Sequence, residues 1–102
     1  MSKSVTFVRH HAKPGKRDEI KRIWDKYVRD YVAADGATLA YYYSYDDKDP
    51  DAVVAIQLSA NQTSGQDFVK QPWFGDYQRE TAALVAAPSE ILTATPQWVK
   101  GT

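Results

Sequence analysis

The chain has 102 residues, 43% of them hydrophobic and 25% charged, with 13 Lys+Arg balanced by 13 Asp+Glu. That is one globular domain's worth of sequence, spanning 1–102, and the charge balance leaves no excess to hold a nucleic-acid backbone or an anionic membrane. Without a cysteine there are no disulfides, thiolate metal sites or cysteine nucleophile, and with no long apolar run and no signal-peptide core in MSKSVTFVRHH the expected location is the cytoplasm.

Residues 4–11 read as a strand, with Val5, Phe7 and Val8 putting β-favouring side chains on both faces. Lys13-Pro14-Gly15 breaks it. The period then changes: Ile20, Ile23, Trp24, Tyr27, Val28, Tyr31 and Val32 form one stripe of a 3.6-residue helix, and the positions between them are charged. Asp18 with Arg22 and Asp25 with Arg29 are i, i+4 pairs on its wet face. Asp35-Gly36 closes the helix, the glycine being suited to the left-handed conformation.

Residues 38–45 carry four tyrosines in a β-rich run. The turn cluster 46–51 and the run AVVAIQLS at 52–59 complete an antiparallel hairpin. Thr63 and Ser64 offer helix caps for a short turn near 65–70. Pro72 separates that turn from a longer helix expected over 73–86, which Pro88 would stop, and residues 90–99 read as a last strand bent near Pro96. The order β-α-β-β-α-β is the ferredoxin-like arrangement, an α+β fold with a four-stranded antiparallel sheet and both helices on one face.

The other face of that sheet is not polar. The third strand sets Ala52, Val54, Ile56 and Leu58 against Val53 and Ala55, without the alternation that a half-wet antiparallel sheet shows. Leaving such side chains in water would forgo about 1.5–3 kcal/mol each. A second copy of the chain is the economical cover, which predicts a homodimer joined sheet to sheet.

The segments VTFVRHHAKPGKRDEIKRIW, DGATLAYYYSYDDKDPDAVVAIQLS and QPWFGDYQRE resemble the antibiotic biosynthesis monooxygenase (ABM) family of dimeric α/β-barrel proteins. The markers are Lys13-Pro14-Gly15 before the first helix, Gly36 before the second strand, Asp49-Pro50 in the hairpin turn, and Pro72 with Phe74 leading into the second helix. The resemblance implies a ferredoxin-like protomer whose sheet joins its partner's in a closed barrel, with a pocket between helices and sheet. Many members have a Glu and a Trp on the third strand and a His near the second helix; those positions hold Gln57, Ser59 and Phe68 here. The Asn, Trp and His of the haem-degrading branch align with Val8, Phe68 and Gln78, which disfavours haem degradation. The resemblance implies a monooxygenase that oxidises an electron-rich aromatic, of polyphenol or hydroquinone type, with O₂ and no flavin or metal. The alternative is a non-catalytic homodimer of the same fold that binds a small apolar or aromatic molecule.

His10 and His11 are the only histidines and, as strand neighbours, point to opposite faces, so they cannot act in one pocket. Aligned on the first strand, Thr6, Val8 and His10 look towards the helices. His10 is the candidate general base, since an ordinary imidazole pKa of about 6.5 suits proton removal from a phenol near neutrality. Tyr77 is the second catalytic candidate, a hydroxyl to steady the resulting oxyanion. Trp24, Tyr27, Phe68 and Trp73 are the candidate substrate-binding residues, large rings suited to a flat aromatic guest. Core filling is the competing role, and the better one for Tyr27, Tyr31 and Phe74. Solvation is the preferred reading of the acidic turn, which lacks the glycine and terminal Glu of a calcium loop. Ser64 and Ser89 read as caps.

Overall fold

Alternation of β-favouring residues gives the first strand, β1 (Ser4–Ala12), in the computed structural model, which describes residues 2–101. The chain turns out of it through Gly15, whose φ of +76° is left-handed backbone that a side chain would strain. Asp51 Oδ1 accepts the Gly15 N–H at 3.0 Å. The amphipathic stripe follows as α1 (Arg17–Tyr27) and α2 (Arg29–Ala34). The single helix expected here is thus divided at Val28, where φ is −104° and ψ −38°. Backbone bonds from Val28 N–H to Trp24 O (2.8 Å) and from Val32 N–H to Val28 O (3.0 Å) carry the chain through the break. Trp24, Val28 and Val32 consequently stay in one buried cluster.

Gly36 does not close the helix in the left-handed form as expected. Asp35 is already extended (ψ 110°), and its carboxylate accepts from Ala37 N–H at 3.1 Å and Thr38 Oγ1 at 2.9 Å. That side-chain turn leads the chain into β2. The hairpin of β2 (Thr38–Tyr45) and β3 (Ala52–Ser59) is where the sequence places it. Asp46 and Asp49 bond backbone N–H groups of its turn.

The second half differs from expectation in its boundaries. The short turn is a helix, α3 (Ser64–Val69), and α4 (Phe74–Ala82) stops four residues before the expected end. Asn61 Oδ1 takes the Thr63 and Ser64 hydroxyls, so neither caps α3. The last strand, β4 (Val85–Ala94), includes Pro88 rather than starting after it. The sheet order β2-β3-β1-β4 makes β4 an edge strand. Its register with β1 slips between Arg9 and His11, opposite the segment holding Pro88. A proline is tolerated there because no interior ladder bond needs its missing N–H.

All strand pairs are antiparallel, so this is the four-stranded ferredoxin-like sheet. The register sorts the faces, because paired residues share one. Thr6, Val8 and His10 lie level with Gln57, Ala55 and Val53, and those with Tyr41, Tyr43 and Tyr45. The helices cover this side: Ile20 packs in one core cluster with Ala12 and Val53, and Trp24 packs on Tyr41 and Tyr43. The opposite side carries Val5, Phe7, Tyr42, Ile56, Leu58 and Leu92. Tyr42 and Leu92 are each 62% exposed there. No helix among the described residues is long and apolar enough to cross a membrane.

Candidate functional site

The helix stripe and β2 bring most of the expected site residues together. Trp24, buried at 9% exposure, lies with its ring centre 4.6 Å from Tyr43 and 5.3 Å from Tyr41. Across the break in the helix, Tyr27 and Tyr31 meet the rings that α3 and α4 supply. Trp73 sits 5.6 Å from Tyr31 and 5.4 Å from Phe68, edge to face in both cases, and Tyr77 lies 6.2 Å from Trp73. These are the offset geometries that the ring quadrupoles favour. Trp24, Tyr27, Phe68, Trp73 and Tyr77 therefore belong to one aromatic layer between helices and sheet.

Within that layer Tyr27 has a structural partner. Its hydroxyl donates to Glu80 on α4, while Lys26 lies over its ring at 4.7 Å and reaches Glu80 at 3.5 Å. Tyr27 thus ties α1 to α4, in keeping with the core role favoured for it. Tyr77 is held in apolar surroundings: burial, with a smaller contribution from Tyr41, pushes its phenol well above the usual tyrosine range. It stays protonated and can donate a hydrogen bond.

His10 is placed differently. It lies level with Val53 and, one strand further, Tyr45, so about 10 Å of sheet separates it from the tyrosine strand. Its Nδ1 is 2.6 Å from Ser89 Oγ. Ser89 is therefore no helix cap but the anchor of the imidazole, supplied by β4. Burial first, and the neighbouring His11 second, lower the His10 pKa, so its neutral form prevails near pH 7. His11 points to the other face, where its Nε2 lies 2.6 Å from Glu90 Oε2. The expected division of the two histidines between the faces holds. Beyond His10 the helix layer gives out: Ile91, opposite Val8 on β4, is 70% exposed.

The resemblance implies a pocket between helices and sheet. Between α2 and β2 runs a groove of about 450 Å³, bordered by Trp24, Arg29, Val32, Leu39, Tyr41 and Tyr43. Of its lining, Trp24 is among the expected substrate-binding residues, and the strand-two tyrosines divide between the faces, Tyr41 and Tyr43 turning inward and Tyr42 outward. Among the described residues no group of three or more His, Cys, Asp or Glu side chains is gathered as a metal site.

No protein-family model matches this sequence, and no curated protein matches it. Solved structures do. A candidate antibiotic biosynthesis monooxygenase of Chloroflexus aurantiacus is 24% identical, with 98% of each chain covered and a TM-score of 0.80. A candidate of the same description from Caulobacter crescentus is 12% identical, covers 93% of this chain and 90% of its own, and has a TM-score of 0.84. A variant of SnoaB, a cofactor-independent oxygenase of Streptomyces nogalater, is 15% identical over the full length of both chains, with a TM-score of 0.82. This chain has the fold of the antibiotic biosynthesis monooxygenase proteins.

Proposed function

We propose that the protein is an oxygenase that oxidises an electron-rich aromatic, of hydroquinone or anthrone type, with O₂ and no bound cofactor. The observation that carries this reading is His10, whose Nδ1 is fixed 2.6 Å from Ser89 Oγ on the helix side of the sheet. It lies level with Val53 and Tyr45, and Ile91 on the neighbouring strand is 70% exposed. An imidazole whose Nδ1–H donates to Ser89 Oγ has its Nε2 lone pair free to take a proton. The fold it shares with a cofactor-independent oxygenase supports the same reaction class.

The chemistry follows from the groups present. His10 removes a proton from the bound phenol or enol, and the resulting carbanion or phenolate supplies the electrons that reduce O₂. For an anthrone, the ring CH₂ becomes C=O and the second oxygen atom leaves as water, so substrate plus O₂ gives quinone plus H₂O with no external reductant. Tyr77, kept protonated by its surroundings, donates to the developing oxyanion. Trp24, Phe68 and Trp73 hold the ring system and exclude water while oxygen adds. Tyr27 serves the same layer from its clasp on Glu80.

A homodimer is part of the proposal. The sheet face that bears Phe7, Tyr42, Ile56 and Leu92 lacks a cover among the described residues, and a second copy of that face is its natural complement. Oxygen uptake with a panel of anthrones and hydroquinones tests the reaction. One O₂ is expected per substrate, with His10→Ala slowing turnover on the order of 100-fold or more. Full turnover in His10→Ala would remove His10 from the mechanism. No uptake across the panel, with ligand binding retained, would leave a binding protein.

A further inference from the structure

We propose that Ser89 and His10 form a nucleophilic pair that hydrolyses short-chain aryl esters. This acyl transfer goes beyond the oxygenase reading and needs neither O₂ nor an electron-rich substrate. Along the sequence Ser89 has no histidine nearby, but the fold brings one from 79 residues away and sets His10 Nδ1 2.6 Å from Ser89 Oγ. That is the reach a base needs to take the proton of an attacking hydroxyl.

The register between β1 and β4 explains the approach. Arg9 pairs with Glu90 and His11 with Ala87, so Pro88 and Ser89 together stand opposite His10. Two residues against one make a bulge, which bends its strand and re-aims a side chain. Pro88 suits the bulge because it has no N–H to leave unbonded. Two residues further along β4, Ile91 lies opposite Val8 on the helix side and is 70% exposed. It offers an uncovered apolar seat for the aryl ring beside the hydroxyl. β4 is also an edge strand, so N–H groups along its open side have no strand partner among the described residues. Such donors suit the oxyanion of a tetrahedral intermediate.

The reaction uses the imidazole tautomer with its hydrogen on Nε2, opposite to the one that serves proton removal in the oxygenase reading; the Ser89 contact fits either. Ser89 Oγ bonds to the ester carbonyl carbon as its proton passes to His10 Nδ1. The bond from that carbon to the aryl oxygen then breaks, and the phenol leaves with the proton. Water repeats the sequence on the acyl-serine, releasing the carboxylic acid and restoring both side chains. Ester plus water gives acid plus phenol, with nothing oxidised or reduced. Glu90 is engaged by His11 on the other face, so no carboxylate among the described residues orients the His10 ring. With an activated ester, acylation should therefore outpace deacylation, and the acyl-serine should accumulate.

The full-length protein mixed with 4-nitrophenyl acetate under nitrogen tests the pair. The expected result is a burst of one nitrophenolate per chain, with one acetyl group that peptide mass spectrometry maps to Ser89. Ser89→Ala should remove burst and adduct and lower the initial rate at least about tenfold. His10→Ala should also remove the burst, its amide NMR spectrum reporting that the fold is kept. A burst that survives Ser89→Ala would make the imidazole itself the nucleophile and overturn the proposal. So would acetyl groups on lysines or Ser64 with none on Ser89, or no burst at all. None of these outcomes touches the oxygenase reading, which is decided by oxygen uptake.

Discussion

Trp24 donates its indole N–H to Tyr41 Oη at 3.1 Å, and this bond joins the first helix to an edge strand of the sheet. The indole is buried, so its single donor has no water to fall back on. Tyr41→Phe removes the acceptor and keeps the ring. The expected cost is about 1–3 kcal/mol, the desolvation penalty of an orphaned donor, read as a lower urea midpoint with the slope unchanged. Trp24→Phe removes the donor along with part of the packing. Once the donor is gone, the further loss on Tyr41→Phe should be small, and a cycle of the two substitutions gives the coupling directly.

His10 makes stability depend on pH. Burial lowers its folded-state pKa below the unfolded value of about 6.5. Between the two values the unfolded chain binds a proton that the folded one does not, so stability rises with pH. The contribution is fully present above about pH 6.5 and is lost as the pH falls through that value towards the lower folded one. Thermal unfolding between pH 7.5 and 5 should therefore show Tm falling with acid, and His10→Asn should flatten that part of the curve. A curve of unchanged slope in the variant would mean the imidazole is not buried as described.

The elements that the sequence makes legible are those set by local period. The stripe from Ile20 to Val32 stays in phase through the break at Val28, which is why the helix could be read while its division could not: both halves bury the same face. Pro88 has the opposite lesson. Its missing N–H reads as a helix stop, yet it is harmless on an edge strand, and edge position belongs to the sheet order, not to the neighbours of Pro88. The partition of Tyr41, Tyr42 and Tyr43 likewise waited on the register with β3. At the site, the aromatic layer was visible as composition on two amphipathic segments. Ser89 as the partner of His10 was not, because 79 residues separate them.

The uncovered sheet face gives a prediction about assembly. Light scattering should report two copies per particle at micromolar concentration, and Ile56→Lys with Leu92→Lys should report one. Each large side chain withdrawn from water in the dimer is worth about 1.5–3 kcal/mol, and a lysine in its place must bury a charge or stay apart. Val69→Lys is the control, because Val69 is also exposed but lies on α3, away from that face. A single copy in the native protein would remove the homodimer.

On the same face Asp46 is held ionised at the hairpin turn. The backbone N–H of Lys48, then the Arg9 guanidinium at 2.7 Å, then the N–H of Asp49 bring its pKa to about 2. A depressed carboxylate contributes stability above its ordinary pKa of about 3.8, and that contribution is lost as the pH falls towards 2. Asp46→Asn should therefore flatten the stability profile between about pH 4 and 2 relative to native, measured by urea unfolding at each pH. Parallel profiles would show that the turn does not depend on this charge.

Tyr43, two residues from Tyr41 on the same side of the strand, should respond with the opposite sign. Its hydroxyl is buried without a hydrogen-bond partner among the described residues, and burial pushes its phenol far above the usual range, so it remains a protonated donor. Tyr43→Phe deletes that group and keeps the ring against Trp24. The unliganded protein should be unchanged or more stable by up to about 1–3 kcal/mol, and each kcal/mol raises Tm by roughly 4–8 °C in a domain of this size. A fall in Tm matching that of Tyr41→Phe would instead mean that water already satisfies the hydroxyl in solution.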